Sequence, residues 1–170
     1  MDEILLRRSI RKYDLEKKIS YEILYDLCKY AEAAPSAKGQ KGREYIIVDD
    51  KSLIDKLALV AKGTMILNEC NTLIVVVGKD PQTLPKPEMQ AQDLSAAVEN
   101  ILIQATKLNL GSCWCGIYPI KERIDAVNTI LNINDNRFAF AIIALGYPKD
   151  MSDFKEKNKF SDDLVHHNRG

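Results

Sequence analysis

The chain has no surplus of charge of either sign. Its 170 residues carry 24 Lys and Arg against 24 Asp and Glu, a difference of 24 − 24 = 0. A general nucleic-acid binder, or a protein held on an anionic membrane surface, needs an excess of positive charge, so neither partner is expected. Histidine is nearly absent: His166 and His167 are adjacent in a polar C-terminal stretch. The four cysteines, Cys28, Cys70, Cys113 and Cys115, contain no Cys-x-x-Cys pair, so no metal site is predicted. They are also too scattered for a disulfide framework, which fits a reducing, cytoplasmic compartment. Long apolar runs are missing as well. Nothing approaches a membrane span, and the opening Met1-Asp2-Glu3-Ile4-Leu5-Leu6-Arg7-Arg8 lacks the apolar stretch of a secretory signal.

Two phosphate-binding devices are absent too. No strand-like run is followed by G-x-G-x-x-G, and G-x-x-x-x-G-K-[ST] does not occur. A nucleotide, if one binds, needs another cradle.

What is present reads as one domain, residues 1–170, with no internal repeat and no low-complexity linker. Ser20 caps a predicted helix over 21–33, with Ile23, Leu24, Leu27, Cys28 and Ala31 on one face and Pro35 to stop it. A Lys- and Gly-rich loop, 36–43, precedes a strand over 45–48. A helix follows over 51–61, and the β-branched run 73–77 reads as a buried strand. The clearest helix spans 91–109, with Leu94, Ala97, Val98, Ile101, Leu102, Ala105 and Leu108 at helical spacing and Gly111 placed to end it. Residues 113–117 form a short strand, 121–131 a helix and 138–145 a last buried strand. Strands alternating with helices would by themselves predict a doubly wound α/β fold. Beyond Pro148 the chain turns polar. In 149–170 only Phe154, Phe160, Leu164 and Val165 stand out as apolar anchors, so this segment cannot build a core of its own.

Three segments carry candidate chemistry. Arg7-Arg8-Ser9-Ile10-Arg11-Lys12-Tyr13 packs four cations and a hydroxyl into seven positions, a donor set suited to phosphate oxygens. Ala33-Ala34-Pro35-Ser36-Ala37-Lys38-Gly39 places small residues after a helix, where a ligand can approach the backbone. Leu110-Gly111-Ser112-Cys113-Trp114-Cys115-Gly116 puts two thiols around a tryptophan. Singly, each is better read as a solvated basic face, an ordinary loop and a buried strand.

In this order and at these separations the three segments resemble the nitroreductase family of flavoproteins. The resemblance continues through the helix around Asp93 to Asn100, through Leu145-Gly146-Tyr147-Pro148, and into Lys159-Phe160-Ser161-Asp162-Asp163-Leu164-Val165-His166. It implies an α+β fold with a central, largely antiparallel sheet among helices, which overrides the alternation argument. It implies a homodimer with two FMN sites at the subunit interface, residues 149–170 serving as an arm that reaches across to the partner. By position, Arg7 and Ser9 would hold the FMN phosphate and ribityl chain, with Arg8 close by and Arg11 near the pyrimidine edge. Pro35, Ser36, Ala37 and Lys38 would line the flavin from the other subunit. The backbone at Cys115 and Gly116 would sit beside N5, and Lys159, helped by Lys157, would reach the phosphate.

The activity implied is transfer of reducing equivalents from NADH or NADPH through FMN to a small acceptor such as a nitroaromatic or a quinone, in a ping-pong cycle. The flavin carries the chemistry and no side chain is needed as a nucleophile. The chain departs from the family pattern at two places. Gly39 stands where Asn is usual, and Lys41-Gly42-Arg43 where Gln-Pro-Trp is usual. A side-chain amide contact and an aromatic wedge are thereby lost, and two loop charges are gained. The chain is also short for the family, which implies an open site with loose acceptor specificity. Two other readings stay open: a flavin-binding storage or sensing dimer with little turnover, and a thiol reductase using Cys113 and Cys115.

Overall fold

The computed structural model describes residues 2–156 and 159–169; Lys157 lies outside the described residues. In chain order the regular elements are α1 (Glu3–Leu6), α2 (Tyr21–Glu32), β1 (Arg43–Val48), α3 (Lys51–Ala58), β2 (Thr72–Gly78), α4 (Gln90–Lys107), β3 (Gly111–Gly116), α5 (Lys121–Leu131) and β4 (Phe138–Gly146). Short 3-10 turns connect them, the longest over Lys62–Glu69.

The four strands form one sheet in the order β1-β2-β4-β3, and every neighbouring pair is antiparallel. The doubly wound parallel sheet suggested by alternation is therefore wrong, and the α+β arrangement implied by the family resemblance is right. The misleading signal has a physical cause. Continuous apolar runs are usual in parallel strands because both of their faces are covered. Here both faces of an antiparallel sheet are covered. Leu73, Val75 and Val77 of β2 pack with Ile54 and Leu57 of α3, Leu67 and Val127 of α5 on one side. Ile74 and Val76 pack with Leu24 and Leu27 of α2 and Leu94, Val98 and Ile101 of α4 on the other.

A bulge adjusts β4 to this double cover. Val76 pairs with Ala141 but Val77 with Ala139, so Phe140 is the extra residue, and Phe140 and Ala141 face the same layer.

The end of α4 differs from expectation. Gly111 does not stop the helix. Asn109 takes the left-handed conformation (φ 57°), its N–H donates to Thr106 O (3.0 Å), and the Leu110 N–H donates to Ala105 O (2.8 Å). This is a Schellman closure with asparagine in the position glycine usually fills. Gly111 instead opens β3, opposite Gly146 of β4.

That glycine pair positions the basic N-terminal segment. The Tyr13 ring lies across both glycines, so that a Cβ on Gly146 would meet Tyr13 Cδ1 at 2.9 Å and one on Gly111 would meet Tyr13 Cε1 at 3.0 Å. The Tyr13 hydroxyl donates to Ile10 O at 2.6 Å. Ile10 N–H donates to Ser112 O (3.0 Å), Asp14 N–H to Tyr147 O (2.9 Å) and Lys149 N–H to Lys12 O (3.1 Å). The segment around residues 9–14 is thus laid along β3 and the exit from β4. Of the four apolar anchors foreseen after Pro148, Phe154 packs against the α3/α5-side core, while Phe160, Leu164 and Val165 are exposed. Among the described residues no helix is long and apolar enough to cross a membrane.

Gly146→Ala is expected to destabilise the protein by about 1–3 kcal/mol, because the Tyr13 backbone-proximal atoms cannot retreat from an added methyl. Thermal unfolding of the variant against the parent measures this; an unchanged midpoint would show that the ring is free to move.

Candidate functional site

Docking of the N-terminal segment builds a pocket of about 670 Å³ lined by Arg7, Arg8, Ser9, Ile10, Arg11, Lys12, Asp153, Lys155 and Lys159. Six of these are cations and one is a carboxylate, a formal charge of 6 − 1 = +5. Arginine forks and a hydroxyl suit an anion with several oxygens, such as a phosphate. Arg7 is further oriented by an ion pair between its Nε and Glu99 Oε1 of α4 (3.1 Å). Glu99 is half-buried, and burial raises its pKa against the opposing pull of Arg7. Arg11 donates from Nη1 to Ser9 O (3.1 Å).

Five sequence-predicted positions, Arg7, Arg8, Ser9, Arg11 and Lys159, therefore come together from opposite ends of the chain. Lys12 of the same basic segment joins them, as do Lys155 and Asp153, which were not foreseen. For Lys155 the signal was the alternation of lysines at 155, 157 and 159 in the tail. Pro35, Ser36, Ala37 and Lys38 do not line this pocket, nor do Cys115 and Gly116.

The loop 35–39 is held at its back. Lys38 and Gly39 take successive left-handed conformations (φ 51° and 63°). The expected pair of added loop charges is corrected here for Arg43. It is the first residue of β1 and is buried, and its guanidinium donates to Ala31 O (3.2 Å), Ala34 O (2.9 Å) and Pro35 O (3.2 Å). It satisfies the Ala34 and Pro35 carbonyls just past the end of α2 and adds a second donor at Ala31 O, which already accepts the Ala34 N–H, so only Lys41 remains as an added solvent charge.

On β3, Cys113 and Cys115 point into the core while Trp114 and Gly116 face outward, and a Cβ on Gly116 would meet nothing within 4 Å. Trp114 and Tyr118 both pack on Phe140, with centroids 6.1 and 5.6 Å apart. The two neighbouring thiols oppose each other: the Cys115 thiol, with Arg11 and Arg7, holds Cys113 below the ordinary thiol value against the effect of burial, while Cys115 itself is pushed up. Burial raises Cys28 to about 11 and Cys70 to about 12. A nucleophilic thiol must be reachable as well as ionised, and Cys113 and Cys115 are only 4% and 3% exposed. Among the described residues no group of three or more His, Cys, Asp or Glu is arranged to hold a metal ion.

An antiparallel sheet covered on both faces by helices defines an α+β protein, and the pocket beside its edge strand is strongly cationic. The family follows from comparison. The family model of the nitroreductase family matches residues 4–69 and 65–147, and the chain belongs to that family. It is 39% identical over 165 residues to an Archaeoglobus fulgidus protein provisionally named an NADH dehydrogenase/NAD(P)H nitroreductase, covering 96% of this chain and 94% of that protein. Among solved structures, a provisionally named NADH oxidase from Clostridium acetobutylicum superposes with a TM-score of 0.94 at 36% identity, covering 99% of this chain and 100% of that one. An FMN-dependent nitroreductase from Clostridium difficile R20291 superposes with a TM-score of 0.89 at 29% identity, with both chains covered fully (100%).

The buried thiols give a direct check. The native protein is expected to react with less than one equivalent of Ellman's reagent in the time that the denatured chain titrates all four of its free cysteines. Rapid modification of two thiols in the native state would revive the thiol-reductase reading.

Proposed function

We propose that the protein is an FMN-dependent oxidoreductase that takes reducing equivalents from NADH or NADPH and delivers them to a small acceptor such as a nitroaromatic or a quinone. One observation carries this reading. Arg7, Ser9 and Lys159, the three positions that the family resemblance assigns to the FMN phosphate, line one cationic pocket although they lie at opposite ends of the chain. The donor set fits the group: a phosphate dianion matches the clustered guanidinium and ammonium donors. The open space over Gly116 leaves the β3 backbone accessible to a flat ring. Support also comes from the relatives, one named as FMN-dependent and one for NAD(P)H.

Arg7 and Ser9 hold the phosphate and ribityl chain, with Arg8 beside them and Lys159 closing from the tail. Arg11 holds positive charge toward the pyrimidine edge, where it favours an anionic ring. Pro35, Ser36, Ala37 and Lys38 wall the ring from the neighbouring subunit of a homodimer, and residues 149–170 act as an arm on the 1–170 domain. The backbone at Cys115 and Gly116 would stand beside N5. FMN, when bound, supplies hydride acceptance and its onward transfer. Donor and acceptor occupy the same open face in turn, which is ping-pong behaviour. The protein works in the cytoplasm without a nucleic-acid or membrane partner.

The purified protein is expected to be yellow, to release FMN on denaturation, and to sediment as a dimer with one FMN per chain. A colourless monomer that does not take up FMN would overturn the reading. Steady oxidation of NADH or NADPH with an added quinone separates an enzyme from a storage or sensing dimer. The double change Cys113→Ser and Cys115→Ser should leave that rate within about tenfold of the parent, about 1.4 kcal/mol in barrier or less. Loss of all turnover at full flavin content would move the chemistry to the thiols.

A further inference from the structure

The loop 35–39 is poorly supported by its own backbone. Inside it, Gly39 N–H donates to Ser36 O and Gln40 N–H to Ala37 O, both at 3.0 Å, around two left-handed residues. Arg43 of β1 holds the loop's first residue through Pro35 O (3.2 Å); the fixed points of residues 37–40 lie on α4 and the turn that precedes α4. Asp93, in the first turn of α4, accepts the Ala37 N–H on Oδ1 (3.0 Å) and the Gln40 side-chain amide on Oδ2 (2.6 Å). Gln40 in turn accepts the Lys86 N–H on Oε1 (3.1 Å) and donates from Nε2 to Lys86 O (3.1 Å). Asp93 and Gln40 are 8% and 5% exposed, and among the described residues Asp93 makes no ion pair.

A buried carboxylate without a cation is a costly way to fasten a loop when apolar packing would hold it as firmly. The position in the first turn of α4 offsets part of that cost, since the helix dipole favours a negative charge there. What the carboxylate adds is direction. Its two oxygens fix two donors, one on each side of the left-handed turn, and so set the angle at which residues 35–38 are presented. Gly39 makes this necessary, because it has no side chain with which to hold the loop from the front.

We propose that Asp93 and Gln40 are positioning residues for the flavin ring wall: they fix residues 35–38 from behind, independently of the phosphate contacts at Arg7 and Lys159. The proposal rests on the flavin reading above. It assigns ring affinity to one cluster and phosphate affinity to another, and the two separate experimentally. Riboflavin has the ring and ribityl chain without the phosphate, so its affinity reads the wall, and the ratio of FMN to riboflavin affinity reads the phosphate pocket.

Fluorescence titrations of the full-length protein with FMN and with riboflavin test it. Asp93→Ala is expected to weaken both by the same factor, tenfold or more, leaving their ratio unchanged. Asp93→Asn, which keeps the acceptor for Ala37 but sets amide against amide at Gln40, should produce a smaller parallel loss and covers the case in which the alanine variant does not fold. Arg7→Ala should do the opposite, lowering FMN affinity more than riboflavin affinity and so lowering the ratio. The proposal is overturned if riboflavin affinity is unchanged in both Asp93 variants, or if the ratio falls with it, since general loosening of the protein would weaken the phosphate contacts too. A parent protein that binds neither flavin would overturn the flavin reading itself, a result distinct from either.

Discussion

Six cations around one pocket repel each other, and no contact among them holds the segment that carries four of them in place. The repulsion is bearable in a solvated cleft, but the backbone must be anchored by something uncharged. Ile10 and Tyr13 supply that anchor. Ile10 is buried and bonded to the β3 backbone, and Tyr13 lies across the Gly111 and Gly146 pair where any side chain would collide with it. The polar positions between and before them, Arg7, Arg8, Ser9, Arg11 and Lys12, are then left facing the pocket. The two glycines serve the site without touching it.

The same anchoring explains how the two ends of the chain meet. Asp14 and Lys149 are tied to Tyr147 and Lys12 by backbone hydrogen bonds, so the tail leaves β4 alongside the N-terminal segment. Phe154 then turns inward to the core, and Asp153, Lys155 and Lys159 arrive at the pocket rim. A polar tail that cannot build a core still acquires a defined course when one apolar residue is seated and its first backbone bonds are made.

The elements and most of the positions that line the cationic pocket were legible in the sequence, because both depend on local pattern. The β2 run, the α4 periodicity and the Arg7–Lys12 cluster are each visible within about a dozen residues. Sheet direction was not, since a strand buried on both faces reads alike whether its neighbours are parallel or antiparallel. Nor was the state of Arg43, whose charge looks solvent-bound in a Lys- and Gly-rich stretch until β1 carries it under the end of α2. Asp93 was visible only as part of a family pattern. Its partners, Ala37 and Gln40, lie more than 50 residues away, and no spacing rule connects them.

Helix α4 draws these threads together. Asp93 and Glu99 are six residues apart on it, a rise of about 9 Å and a rotation of about 240°. They therefore leave the helix on different sides, one toward the loop 35–39 and the other toward Arg7. Each meets a segment that the buried faces of the sheet do not themselves constrain. The rest of the helix, with Leu94, Val98, Ile101 and Ala105 fully buried against β2 and β4, cannot shift without disturbing the core. A glycine-containing loop and a long arginine side chain are thus referred to one buried helix by carboxylates. In a dimer whose rings are walled by the neighbouring subunit, those two references would belong to different flavins, and a single helix would set the geometry of both.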